Sequence, residues 1–372
     1  MNFDFSDEVK MMRDEARRFL KDRCSPKVVR RALDGAAVYD KELWNEIAAL
    51  GWIGVAIPEE FGGSGIGQEA LCVLAGEIGA ALAPVPFSSS TYLAAEAILL
   101  TGDDAQKREM LPDLASGKRI ATLALAEGAG NPAAKAISTT YRNGKLTGTK
   151  WPVPDGTIAD DVIVVAKDSA GEIGLFAAPL EGDGVARATL KTLDPTRNYA
   201  MITFRDAPAI PLLANGRGWT VVQTILDRAA VLVAFEQVGG AEAALHMAKD
   251  YALERYAFGR SIASFQAIKH RLADMYVALE LARAHAYYGA WALSHDAPEL
   301  AGAASAARVA ATDAYYLTTK ENIQIHGGMG FTWEMDCHLY YRRAKALALL
   351  LGNANYWRNR LIGELEHLEA AE

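Results

Sequence analysis

The stretch QIHGGMGFTWEMDCHLYYRRAK, residues 324–345, with Leu351-Gly352-Asn353 shortly after it, decides how this chain is read. Gly327 and Gly328 can close a helix, because glycine tolerates the left-handed backbone that ends one. Glycines also let a backbone come close to a phosphate-bearing ligand. Alone, the run favours the helix stop, and the ligand reading needs support from elsewhere in the chain.

Proline sets the wider frame. Seven of the 13 prolines lie between Pro132 and Pro211, and only Pro298 follows. From about residue 219 onward the chain can run as long helices, since proline removes a backbone donor and clashes with the preceding turn. Phe265, Ile268, Leu272, Met275 and Leu279 recur at steps of three and four, one apolar stripe of a bundled helix, with Ser264 as its expected cap. The middle third differs. Thr122–Ala126, Lys145–Trp151, Asp161–Ala166, Glu172–Ala178 and Met201–Phe204 have strand character, with turn signals at Asn143-Gly144 and Gly182–Gly184. The opening residues return to helical patterning, starting at a Ser6 cap followed by Asp7 and Glu8 and interrupted by IPEEFGGSG at 57–65. The expectation is an α+β chain: an N-terminal α-helical domain over 1–120, a central antiparallel β domain over 121–215 and a C-terminal α-helical bundle over 216–372.

Composition narrows the function classes. Net charge is −8, and no dense Lys/Arg run occurs beyond pairs such as Arg30-Arg31 and Arg342-Arg343. Nucleic acid is therefore not an expected partner. The start MNFDFSDEVK has acids where a secretory signal needs a basic start and an apolar stretch. Apolar runs such as Ala229–Phe235 and Ala346–Leu351 fall short of the ~20 residues that span a bilayer, so a cytoplasmic protein without membrane attachment is expected. Cys24, Cys72 and Cys337 are isolated, which predicts buried or idle thiols, no disulfide framework and no metal site.

Several motifs occur in a telling order: GWIGVAIPEEFGGSG at 51–65, LALAEGAGNP at 123–132, GTKWPVPDG at 148–156, YALERYAFGRSIASFQAIKHRLADM at 251–275, then the 324–345 block. In order, spacing and domain layout, across essentially the whole chain, this resembles the FAD-dependent acyl-CoA dehydrogenases. Within that family it resembles the base-lacking subunits of heteromeric bacterial enzymes of the steroid side-chain type. The resemblance implies an acyl-CoA substrate, FAD as cofactor, electron-transfer flavoprotein as electron acceptor, and a dimer or tetramer. In such enzymes a carboxylate removes the α-proton of the thioester while the β-hydrogen leaves as hydride to the flavin.

Carried over by motif, Arg255 matches the arginine that binds the flavin diphosphate, and Phe258 and Gln266 match the residues beside adenine and ribose. Gln324, Gly327 and Gly328 match contacts to the same tail, which in this family belongs to the neighbouring subunit's flavin. The competing readings are a surface ion pair of Arg255 with Glu254 or Asp250 and ordinary packing of Phe258. Trp151 matches a tryptophan packed against the flavin, or is a buried strand-end tryptophan. Asn353, next to the base position, is a further candidate contact. The chain departs from the family where a Thr-Glu-Pro-Gly-x-Gly-Ser run is usual: here it reads Ala126-Glu127-Gly128-Ala129-Gly130-Asn131-Pro132, without the threonine. Pro152 and Pro154 follow Trp151 and remove backbone donors.

The base is the largest departure. The commonest position for the glutamate falls on Leu351, and the alternative position, on the first long helix after the β domain, falls on Ala229. Neither side chain accepts a proton. Asp227 is two residues from Ala229, about 200° around a helix. No catalytic residue is therefore expected, and the chain reads as the non-catalytic subunit of a heteromeric acyl-CoA dehydrogenase with a homologous partner. The alternatives are an active homo-oligomeric dehydrogenase with an unlocated base, a flavin monooxygenase of the same fold, and an acyl-CoA-binding module without a redox role.

Overall fold

The computed structural model describes residues 4–213 and 218–371. The order of elements follows the expected sequence of helices, sheet, then helices. It opens with α1 (Asp7–Arg23), α2 (Pro26–Leu33), α3 (Lys41–Ala49) and α4 (Gln68–Ala80). A π-helical stretch, Ser88–Ala95, leads into α5 (Glu96–Thr101) and α6 (Asp104–Ala115). Eight strands come next: β1 (Ala121–Ala124), β2 (Thr140–Arg142), β3 (Lys145–Pro154), β4 (Asp161–Lys167), β5 (Ile173–Pro179), β6 (Val185–Leu190), β7 (Tyr199–Pro208) and β8 (Ile210–Leu213). The long helices α7 (Gly218–Glu254), α8 (Gln266–Ser294), α9 (Leu300–His326), α10 (Cys337–Leu349) and α11 (Ala354–Ala371) complete the chain.

By contact, the chain forms two compact units: Met1–Val29, Cys72–Ala83 and Ala230–Glu372 make the first, Arg30–Leu71 and Pro84–Ala229 the second. The first is a helical bundle. Ser6 caps α1, its hydroxyl accepting from the Val9 N–H at 3.3 Å. α8 and α9 pair along alanine-rich faces, with Ala282, Ala286 and Ala290 buried on one helix and Ala303, Ala307 and Ala311 on the other. α4 and α7 approach so closely that a Cβ on Gly239 would lie 1.9 Å from the Gly76 carbonyl oxygen. Ser264 does not cap α8; its hydroxyl donates to the Ser261 carbonyl within a short 3-10 turn, and the helix starts after Phe265 without a side-chain cap. The expected stripe is buried only from Met275 onward, because the head of α8 has no cover within one chain and leaves Phe265, Ile268 and Leu272 half-buried.

The second unit carries the sheet, in the order β6-β7-β3-β2-β4-β5-β8, with β1 beside β4. Most pairs are antiparallel, as expected; β1 and β2 run parallel to β4, so the sheet is mixed there. The β2–β3 hairpin turns at Asn143 (φ 51°) and Gly144 (φ 79°), the two left-handed residues such a tight turn requires. It sends the chain back across the sheet, so β4 enters in the direction of β1.

α7 as a whole is apolar and long enough to cross a membrane, which its short apolar runs did not suggest. However, 72% of its most apolar window is buried inside the protein, as in a core helix.

Candidate functional site

On the first unit, α7 ends at Glu254 and the chain makes a minimal hairpin, Tyr256-Ala257 against Arg260-Ser261. At its tip Phe258 has φ 54° and Gly259 φ 78°. A left-handed phenylalanine is disfavoured, since Cβ crowds the backbone. Phe258 nevertheless stands 94% exposed, its ring meeting only the edge of Phe265 at 6.3 Å among aromatic neighbours. Within one chain Phe258 is not packed into the core. Arg255 is also exposed, and among the described residues its guanidinium has no ion-pair or hydrogen-bond partner; Asp250 pairs with Lys249 at 3.2 Å instead. Gln266, the first residue of α8, is exposed too.

The Gly327–Gly330 run supports both of its readings. α9 stops at His326, and Gly327 turns the chain at φ 61°. A Cβ on Gly327 or Gly328 would meet nothing within 4 Å, so this backbone is open to a ligand. Gln324 is exposed beside it. The ends of α7 and α9 are tied together by Tyr251, which stacks on His326 at 4.0 Å and reaches the Met329 sulfur at 3.7 Å. Burial holds the His326 imidazole below its ordinary pKa, against a hydrogen bond from its ring to the Asn322 carbonyl, which suits a neutral stacking ring. Exposed Tyr256, Phe331 and Trp333 flank these segments. A free guanidinium, an uncovered aromatic ring, amide side chains and a Cβ-free backbone are the donor set that the ADP half of FAD requires, and these residues fit it.

Asn353 sits on the same unit but serves the fold: its side-chain oxygen accepts from the Tyr356 N–H at 3.0 Å, capping α11. Trp151 lies on the other unit, half-buried within β3, its backbone N–H already donated to the Ala126 carbonyl at 2.8 Å. Pro152 has no N–H, and Ala126 has no hydroxyl. This part of the chain thus offers few donors to a flavin ring. What it has instead was not foreseen from sequence: a fully buried Lys150 ammonium, 2.8 Å from Glu127 and 3.1 Å from the Leu125 carbonyl. Glu127 also accepts from the Ser138 and Thr139 N–H groups at 2.8 and 2.9 Å and from the Ser138 hydroxyl. Burial would raise its carboxyl, but the Lys150 and Ser138 hydrogen bonds outweigh it and hold it at about 2. For Lys150 the balance is opposite: burial pushes the ammonium down to about 8, against the pull of Glu127. The pair pins the Ala126–Trp151 crossing. The only sequence signal was a lysine in the middle of a strand.

The positions that would carry a base hold none. Ala229 is fully buried on α7, and Leu351 forms a left-handed turn (φ 65°) after α10. The carboxylate of Asp227 is buried nearby in sequence. Sequence reasoning also missed Glu96, a single acid inside YLAAEAILL, which is buried and ion-paired with Arg228, with Gln68 Nε2 3.3 Å from it. Among the described residues no group of acids, histidines and cysteines is placed to hold a metal.

Comparison with known proteins gives the family. The family description "Acyl-CoA dehydrogenase, N-terminal domain" matches residues 6–118, and "Acyl-CoA dehydrogenase, C-terminal domain" matches 216–365. "Acyl-CoA dehydrogenase IpdE2" of Mycobacterium tuberculosis is 32% identical over 360 residues, covering 96% of this chain and 98% of that protein. Among solved structures, a "Tcur3481-Tcur3483 steroid ACAD G363A variant" chain superposes with a TM-score of 0.89 at 32% identity, covering 98% of this chain and 99% of that one. A chain of the ChsE4-ChsE5 complex from Mycobacterium tuberculosis does so with a TM-score of 0.88 at 26% identity, covering 98% and 99%. This chain belongs to the acyl-CoA dehydrogenases, FAD-binding oxidoreductases that act on the CH–CH group of acyl-CoA thioesters.

Proposed function

We propose that this chain is the base-lacking subunit of a heteromeric acyl-CoA dehydrogenase. One observation carries the reading. Leu351 and Ala229 occupy both positions where a proton acceptor is expected, while the exposed face of Arg255, Phe258, Gln266, Gln324, Gly327 and Gly328 keeps what a neighbour's FAD needs. In this reading the arginine holds the diphosphate and Phe258 covers the adenine. Gln266, Gln324 and the two glycines take the remaining contacts to the tail. Trp151 and Asn353 are retained as candidate contacts to a flavin on this chain's own side. When bound, the flavin supplies a hydride acceptor. The proton acceptor comes from the partner, because none of the expected positions on this chain has a group that takes a proton. The two-component assemblies named among the similar structures support a homologous partner in a dimer or tetramer. The substrate in this reading is an acyl-CoA, the electron acceptor is electron-transfer flavoprotein, and the location is cytoplasmic.

Exposed Leu253, Tyr276, Val277 and Leu281 on the same unit add an apolar surface of the kind an oligomer covers. The test is to purify the chain alone and with an adjacent homologous gene product, then measure FAD per chain and flavin bleaching by acyl-CoAs. The expected result is substoichiometric FAD and no bleaching alone, with both restored in the pair. Stoichiometric FAD and robust reduction in the homo-oligomer would overturn the reading.

A further inference from the structure

Behind the Leu351 turn lies a buried cation that the dehydrogenase chemistry does not call for. Arg308, on α9, is 1% exposed. One guanidinium nitrogen donates to the Thr312 hydroxyl at 2.6 Å and to the Gln237 side-chain oxygen. The other donates to the Leu350 carbonyl at 2.8 Å and to the Leu347 carbonyl. Those carbonyls belong to the last turn of α10 and its cap, the negative end of the helix dipole. Immediately after them Leu351 (φ 65°) and Gly352 (φ 105°) turn the chain left-handed, and Asn353 caps α11. Glycine alone satisfies such a turn; leucine does not prefer it. Ending a helix does not require a fully buried guanidinium with four acceptors, and burying that charge is unfavourable unless its partners are well placed. Burial pushes Arg308 down to about 9, against the attraction of Glu236.

We propose that Arg308 is a positioning residue for the Leu351–Asn353 turn. From inside the bundle it fixes the segment in which the commonest members of the family carry their proton acceptor and in which Asn353 is a candidate flavin contact. The turn is thus kept as a scaffold although its side chain no longer takes a proton. The inference rests on family membership and on the place of Leu351, and it stands whichever chain supplies the base.

Two readouts test it on the assembled protein. The first is amide hydrogen exchange by mass spectrometry. Arg308→Lys keeps the charge but loses the planar fork. It is expected to raise exchange at least threefold in the peptide spanning 346–357, while α8 stays protected; Arg308→Met raises it more. An even rise across the bundle, or none in that peptide with Arg308→Lys, overturns the proposal, even if Arg308→Met fails to fold. The second uses Leu351→Glu in the FAD-loaded assembled protein whose partner has its own base replaced by glutamine, with a saturated acyl-CoA in deuterated water. The new carboxylate takes the α-proton, the C–H electron pair passes into the thioester enolate, and a deuteron from solvent returns to carbon, with no net redox. Deuterium at the α-carbon is expected to appear at least ~100-fold faster than with the parent chain, within the ~10²–10⁴ of a placed general base. Adding Arg308→Lys should slow it at least tenfold. A silent Leu351→Glu, or one indifferent to Arg308, overturns the proposal. Exchange already present in the parent chain counts against the base-lacking reading instead, and the increment from Leu351→Glu still reports on the turn.

Discussion

Replacing Phe258 by glycine should separate stability from function. The ring is 94% exposed, so its removal takes almost no packing from the folded chain. The residue sits at φ 54°, where a non-glycine side chain costs roughly 1–2 kcal/mol. Glycine relieves that strain but adds roughly 0.5–1 kcal/mol of chain entropy to be lost on folding. The net change in folding stability is therefore about 0 to +1.5 kcal/mol, unchanged or slightly stabilising. Binding moves the other way. An adenine lying on one face of the ring covers on the order of 80–100 Å² of apolar surface, about 2–2.5 kcal/mol at ~25 cal/mol/Å², or roughly 30- to 60-fold in FAD affinity. Arg255→Met should also leave folding unchanged, because among the described residues its guanidinium has no partner to lose. Removing a charge-assisted hydrogen bond to phosphate weakens FAD by about 1.5–3 kcal/mol. Denaturant melts of the flavin-free protein give the first quantity, and flavin fluorescence quenching on the assembled protein gives the second. Destabilisation of the flavin-free protein beyond about 2 kcal/mol, or FAD affinity unchanged in both variants, would refute the assignment of this face.

Glu127→Gln should cost more stability than Lys150→Met. The first leaves a fully buried ammonium with the Leu125 carbonyl and a weaker amide, in the range of about 3–5 kcal/mol for a broken buried pair. The second leaves Glu127 with its Ser138 and Thr139 donors; urea melts giving the reverse order would refute this. Because the Glu127 carboxyl is depressed from 4.5 to about 2, its contribution is complete above about pH 4.5 and is lost as pH falls toward about 2, a slope that Glu127→Gln should lack. Gly239→Ala puts a Cβ 1.9 Å from the Gly76 carbonyl and should destabilise by about 3 kcal/mol, whereas Gly363→Ala, with nothing within 4 Å, should be neutral or stabilising in the same thermal melts.

The parts of the fold legible in the sequence were those written as local periodicity. Proline confinement announced where long helices could run, Ser6 announced its helix, and Asn143-Gly144 announced a hairpin whose two left-handed residues the chain adopts. Three strands were missed for physical reasons. β2 is only three residues long, β8 only four, and β6 is an edge strand with no apolar alternation because nearly all of its side chains are exposed. Ser88–Thr91 read as polar but are buried, their hydroxyls satisfied by partners such as Asp155, Arg197 and the Ala121 backbone, which are distant in sequence. The same limit hid the ion pairs of Lys150 with Glu127 and of Arg228 with Glu96, since pairing across a fold leaves no spacing rule in the chain. The candidate flavin residues were named from motif. What the sequence could not supply was their exposure and, among the described residues, the absence of an internal partner for Arg255.

Strain separates the inward-facing from the outward-facing parts of the bundle unit. Among the described residues, three bulky side chains have a left-handed backbone: Leu82 (φ 53°), Phe258 (φ 54°) and Leu351 (φ 65°). Conformations of this kind persist only where their surroundings over-determine them. At Leu82 the carbonyl is held at 3.2 Å by the buried Arg343, which also pairs with Glu236 at 3.4 Å. At Leu351 the carbonyl just before the turn is held by the buried Arg308. Two turns are thus each fixed by a guanidinium reaching out from the core, and both residues are explained without a ligand. Phe258 has no such clamp. Its side chain is uncovered, and the neighbouring Arg255 has no partner on its own chain among the described residues. The left-handed backbone of Phe258 is set locally, by the two-residue hairpin that pairs Ala257 with Arg260 and Tyr256 with Ser261, and the proposed nucleotide contact rests instead on the uncovered ring and the exposed cation beside it. The proposed FAD contact at the Phe258 turn thus rests on exposure, whereas the Leu351 turn is held from within by Arg308.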